Sequence, residues 1–200
     1  RVECAWPVAF TIPIDSSNVS GLHLVKLVRA DGFSAWVPLV VRDDRPADLL
    51  FQASTTTWHA YNDWGGASLY RDPSGTLQRR RAVEVSFDRP YRESVGSGQL
   101  TWWELPFARF LERFGYDVSY TDSTWVAAAG ADALVTRGAF LSVGHDEYWP
   151  GSTFDALEEA RDRGMPILFF SANTAYWQVR LGHDTGGGLR RMTAYKESWP

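Results

Sequence analysis

The chain has 200 residues, 44% of them apolar and 22% charged, with a formal net charge of −4. That composition describes a globular protein long enough to bury a full core, as one domain or as one domain and part of another. The mildly acidic balance argues against a nucleic-acid or anionic-membrane partner, Arg79-Arg80-Arg81 being a short basic run suited to a solvated loop, and no apolar stretch approaches the roughly 18 residues of a membrane span.

Residues 1 to 45 alternate in the manner of strands. Leu22, Leu24 and Lys26 fall on one face of Gly21 to Val28, and His23, Val25 and Leu27 on the other. Ala30-Asp31-Gly32 is a turn, and Trp36 to Val41 completes a hairpin. Two strands do not make a stable domain. We therefore expect the last strands of a β-sandwich, joined through Asp43-Asp44-Arg45-Pro46 to a second unit over residues 46 to 200.

That second unit alternates strands with helices. Strands are expected at Leu49 to Ala53, Val83 to Phe87, Asp117 to Tyr120, Phe140 to Val143 and Ile167 to Phe170, with helices near 101–114 and 153–163. Such alternation predicts an α/β fold, a mostly parallel sheet with helices on both faces. Thr101 and Glu104 have the spacing of a capping box, and Gly115 supplies a left-handed stop. Pro106 requires a place in the first turn. Ser152 and Asp155 suit the start of the second helix, and Gly164 its end. Arg1 in place of Met, and the ending Lys196-Glu197-Ser198-Trp199-Pro200, lead us to expect a piece of a longer chain.

Three polar, aromatic segments follow apolar strands: Thr57-Trp58-His59-Ala60-Tyr61-Asn62 with Gly65-Gly66-Ala67-Ser68-Leu69-Tyr70; Gly144-His145-Asp146-Glu147-Tyr148-Trp149; and Ser171-Ala172-Asn173-Thr174-Ala175-Tyr176-Trp177. In a doubly wound sheet all three converge on the C-terminal rim, where ligands bind. Glu147, His145, Asp146 and the phenols of Tyr61 and Tyr70 are hard or borderline ligands, and phenolate with carboxylate suits Fe(III) or another strongly Lewis-acidic ion. His145 or Asp146 would then be placed to move a proton. A His-x-Glu pair is a weak signal alone, and Tyr61 and Tyr70 serve equally well as core or rim aromatics. His59, His23 and His183 read as structural or exposed, and Asp63 as a turn residue. The only cysteine, Cys4, lies far from any strand-end turn of the α/β unit, which removes thiol catalysis and internal disulfides and leaves cytoplasmic or secreted location open. Ser171 lacks the Gly-x-Ser-x-Gly setting of a nucleophile and reads as a turn cap.

These phrases, His145-Asp146-Glu147-Tyr148-Trp149 above all, resemble the C-terminal domain of the N,N-dimethylformamidase large subunit and its relatives, from about residue 47 to the end. The resemblance implies a glutamine-amidotransferase-like fold and hydrolysis of a non-peptide amide C–N bond at a mononuclear iron. Carried over, it implies Glu147, Tyr61 and Tyr70 as iron ligands, His145 as a proton-handling group, and Asn173 and Lys196 as substrate-pocket residues. The loop between Tyr61 and Tyr70 is shorter than the resemblance leads one to expect. It implies a small-molecule substrate and a small partner subunit; a homo-oligomer is the other assembly the chain leaves open. The rival from another class is a non-catalytic ligand- or carbohydrate-binding module whose aromatic rim is Trp58, Trp64, Trp149 and Trp177.

Overall fold

The computed structural model describes residues 3–71, 81–183 and 188–196. In chain order the elements are β1 (Gly21–Val28), β2 (Ser34–Val41), β3 (Leu49–Ala53), α1 (Thr55–Tyr61), β4 (Glu84–Ser86), α2 (Glu104–Arg113), β5 (Val118–Asp122), α3 (Ser123–Leu134), β6 (Ala139–His145), β7 (Tyr148–Pro150), α4 (Gly151–Asp162), β8 (Ile167–Ala172), β9 (Trp177–His183) and β10 (Leu189–Thr193).

The principal sheet is parallel, in the order β5-β3-β6-β8. Its inner strands are continuous apolar runs because both faces are covered. Leu50 and Phe140 face α3 and α4, packing with Val126, Leu134, Leu157 and Met165. Phe51, Leu141 and Val143 face the other way, onto Ala108 and Leu111 of α2. Phe51 and Phe140 are wholly buried, each such side chain stabilising by about 1.5–3 kcal/mol. The chain passes from β3 outward to β5 and then back across β3 to β6, which makes the gap between the ends of β3 and β6 a topological switch point.

The expected helices are present, each ended by a left-handed glycine, Gly115 after α2 and Gly164 after α4. Pro106 lies in the first turn of α2. The capping box does not form: the residue before α2 is Trp103, with no side-chain cap, and Glu104 turns inward. Two helices escaped the sequence reading. α1 is a short helix within the segment following β3, and α3 is capped by the Asp122 carboxylate, which accepts from Thr124 N at 2.7 Å.

Beside the parallel sheet lies a second one, in the order β4-β10-β9-β7, with β7 parallel to β9 and the other pairs antiparallel. The segment Val83 to Phe87 belongs here and not to the parallel sheet. β9 and β10 were unanticipated; Val179 and Met192 pack with Ala60, Leu69, Val85 and Tyr148 in a core of their own.

The hairpin β1–β2 is antiparallel with Gly21 opposite Val41, and its turn carries Gly32 at φ +86°. It does not stand apart. Leu22 and Val40 pack on the α2 face of the parallel sheet, so the predicted Leu22/Leu24 face is the inward one. The joint is tied down by Arg45, which donates to Asp117 at 2.5 Å and to Val118 O at 2.9 Å, and by Ser119 donating to Asp43 at 2.7 Å.

Gly138, just before β6, has no room for a side chain: a Cβ there would meet Asp48 O at 2.7 Å. Gly138→Ala should force β3 and β6 apart locally and cost about 1–3 kcal/mol, read as a lower urea midpoint at unchanged slope.

Candidate functional site

β6 ends and β7 begins in different sheets, and the three residues between Gly144 and Tyr148 bridge them across the switch point. Gly144 permits the departure. Its φ is +84°, and a Cβ there would lie 2.9 Å from Trp103 Cβ and 3.0 Å from the Glu104 carboxyl. The bridge is pinned on both sides. Thr57 Oγ1 accepts from Glu147 N at 2.9 Å, Trp177 N donates to Glu147 O at 2.9 Å, and Asp146 exchanges backbone bonds with Ala172 and Ala175.

Along this extended bridge the side chains alternate. His145 and Glu147 meet Tyr61, the last residue of α1. The Tyr61 hydroxyl donates to Glu147 Oε2 at 2.6 Å, and His145 Nε2 lies 3.1 Å from the same oxygen. Tyr70 stacks on Tyr61 with ring centroids 4.4 Å apart, and the His145 ring is 5.0 Å from that of Tyr61. Asn173 Nδ2 approaches His145 Nε2 at 3.3 Å. Asn173 and Ala175 both hold left-handed φ values, 53° and 55°, backbone strain of the sort that collects at functional loops.

The Lys196 ammonium lies over the rings of Tyr148, Trp177 and Tyr70 at 4.5, 4.7 and 5.2 Å, and donates to the Tyr148 hydroxyl. Burial pushes Lys196 down to about 8 although Glu147 opposes this. Burial works to raise the Glu147 pKa, but bonds from His145 and Tyr61 outweigh it and hold the carboxyl below its usual range. Tyr61 is pushed up, by burial first and then by donating to Glu147. The cluster therefore holds one carboxylate and one protonated phenol around a shared hydrogen bond.

Of the residues singled out in the sequence, Tyr61, Tyr70, His145, Glu147, Asn173 and Lys196 come together. Asp146 does not join them. Its side chain is fully buried on the opposite side of the bridge, accepting from Gln52 Nε2 at 2.8 Å and Ser142 Oγ at 2.7 Å, and burial raises it to about 6. Ser142 in turn contacts Ser171, whose hydroxyl meets the Thr174 hydroxyl at 2.7 Å, a side-chain contact and not the backbone cap expected. His59 is neutral and structural: it stacks on Phe87 at 4.3 Å, shares a 2.7 Å hydrogen bond with Tyr91, and burial drives its pKa well below normal. Asp63 pairs with Arg92 at 2.8 Å. Trp58 and Trp149 are 2% and 5% exposed and belong to the cores, so the four-tryptophan rim is not formed.

Sequence reasoning missed Glu104. Its carboxyl, fully buried, accepts from Trp58 Nε1 at 2.8 Å, leaves Oε2 without a partner, and is pushed by burial to about 8. A Thr-x-x-Glu spacing gives no sign that the glutamate will turn inward.

The fold and cluster define an α/β protein with a tyrosine, carboxylate and imidazole site at the switch point of a parallel sheet. The chain belongs to the family described as N,N-dimethylformamidase beta subunit-like, C-terminal, whose model matches residues 1–200. The match takes in the hairpin as well as the region from 47 onward. Among curated proteins, none matches the chain. Among the described residues no group of three or more His, Cys, Asp or Glu converges as a metal site, and no helix is long and apolar enough to cross a membrane.

Glu104 makes stability depend on pH in an unusual direction. Its folded pKa, about 8, is above the ordinary 4.5, so between those values the folded state binds more protons than the unfolded one. Stability should therefore fall as pH rises from about 4.5 to 8, Asp146 adding to the lower part of that window. Thermal melts across this range should show the decline, and Glu104→Gln should make it shallower.

Proposed function

We propose that Tyr61, Tyr70 and Glu147 hold a single metal ion, iron by preference, and that the chain hydrolyses the C–N bond of a non-peptide, linear amide, the activity its family's name suggests. The observation that supports this best is one carboxylate oxygen, Glu147 Oε2, lying 2.6 Å from the Tyr61 phenol and 3.1 Å from His145 Nε2 at the switch point.

The donors fit such an ion. Two oxygens 2.6 Å apart can share one coordination sphere, and the stacked rings bring a second phenol alongside. Since no His, Cys, Asp and Glu cluster is available among the described residues, any ion here depends on phenolate, the hard anionic donor that ferric iron favours. When bound, such an ion supplies Lewis acidity that polarises a carbonyl and acidifies water.

The remaining work falls to the chain's own groups. His145, half-sheltered and in contact with Glu147, is the base for the attacking water and the acid for the departing amine nitrogen. Asn173 offers an amide to orient the substrate's polar atoms. Lys196, protonated through most of the neutral range, keeps a positive charge beside Glu147. Asp146 acts by holding the bridge from beneath. The β5-β3-β6-β8 order supports assigning the unit to the glutamine-amidotransferase-like folds, with the hairpin as the close of a β-sandwich, and the beta-subunit description leads us to expect a partner subunit.

Because Tyr61 keeps its proton on Glu147 and its pKa is raised, loading a metal must displace that proton, and metal affinity should increase with pH. Purified protein should carry about one equivalent of iron with a phenolate charge-transfer band in the visible. Glu147→Gln should lose most of the metal, Tyr61→Phe should weaken the band, and His145→Ala should keep the metal while losing about 10²–10⁴ in turnover. Full metal retention in Glu147→Gln, by elemental mass spectrometry, would overturn the ligand set.

A further inference from the structure

A hollow reaches the cluster at His145. Its volume is about 610 Å³, and it is lined by Trp102, Trp103, Phe107, Phe170, Val143 to His145, Ser171 and Ala172. Phe107 and Phe170 pair with ring centroids 4.8 Å apart. Trp102, Trp103 and Phe170 are each about half exposed, at 49%, 51% and 54%. Three large aromatics left half in water around one concavity form a surface suited to an apolar group.

Two observations say what the occupant is attached to. Apart from His145 and Ser171, no wall residue carries a hydroxyl, a carboxamide or a charge, and the Ser171 hydroxyl is already engaged by Ser142 and Thr174. Besides the indole N–H groups of Trp102 and Trp103, the polar side chain left is the His145 imidazole, whose Nε2 contacts Glu147. Gly144 builds this adjacency: a Cβ on it would lie 2.9 Å from the Trp103 Cβ, so a residue without one lets the end of β6 approach Trp103. A group seated among the aromatics would thus have its polar end beside His145. An amide with only methyl groups would leave most of the hollow empty.

We propose that the site takes amides bearing one bulky apolar, preferably aromatic, substituent, which lodges between Trp102, Trp103, Phe107 and Phe170. This rests on the amide-hydrolase reading. The reaction remains simple hydrolysis: the C–N bond breaks, water supplies the new C–O bond, and the amine nitrogen leaves with a proton.

The metal-loaded protein would be offered N-benzylformamide and phenylacetamide alongside N,N-dimethylformamide and acetamide, with released amine or ammonia quantified and binding followed by calorimetry. The expected result is a kcat/KM about tenfold or more higher for the aromatic amides. Trp103→Ala, which keeps the Cβ that abuts Gly144, and Phe170→Ala should each narrow that preference by about tenfold, mainly through KM. Equal use of small and aromatic amides, or variants that leave the preference intact, would overturn the pocket while leaving the hydrolase reading standing. If no amide is turned over, saturable binding of N-benzylformamide that weakens in Phe170→Ala would support the pocket and sink the hydrolase reading. No saturable binding by calorimetry would overturn the pocket whatever the turnover.

Discussion

The arrangement depends on the clamp that holds Asp146. An extended chain must send alternate side chains to opposite sides, so fixing one residue of the bridge fixes its two neighbours. Asp146 is held by Gln52 from β3, by Ser142 from β6, and through its backbone by Ala172 and Ala175. Removing a carboxyl from water is costly, as its raised pKa shows, and the hydrogen bonds offset only part of that. What the fold gains is direction: His145 and Glu147 are left facing Tyr61, with their carboxylate and imidazole already in contact.

The parallel sheet was legible because its signals are local. Leu49 to Ala53, Phe140 to Val143 and Ile167 to Phe170 are short apolar runs, and Gly115 and Gly164 stop helices wherever the sheet places them. The second sheet was not legible for the opposite reason. β7 is three residues long and β9 follows the Asn173 turn, which reads in the sequence as a polar segment of the rim, and the two pair with each other, Tyr148 opposite Trp177. α1 was obscured by its composition: Thr55, Thr56 and Thr57 are weak helix formers, and the helix forms with Trp58, His59 and Ala60 buried, Trp58 beside Ala53 and the hairpin and Ala60 in the core of the second sheet.

The site itself divides along the same line. Tyr61, His145 and Glu147 could be gathered from the sequence because the rim of a doubly wound sheet is a predictable place. The interior pair Trp58 and Glu104 could not, since they are 46 positions apart and each has an innocent local role. Asp146 shows the limit of reading neighbours as partners: it is adjacent to two members of the cluster in sequence and on the other side of the backbone in space.

The cluster draws from five separate places, Tyr70 coming from the loop after α1. Tyr61 comes from α1, Glu147 and His145 from the bridge, Asn173 from the strained turn after β8, and Lys196 from the segment after β10. No two of these are neighbours in the chain except across the bridge, so the site exists only when both sheets are formed and packed. That requirement gives the second sheet a function that its small size conceals. β9 and β10 carry the chain back until Lys196 reaches Tyr148, Trp177 and Tyr70, and Trp177 N fixes the backbone of Glu147. The parallel sheet makes the rim; the second sheet sets the Tyr148 phenol and the Lys196 ammonium beside the buried Glu147 carboxylate of its bridge.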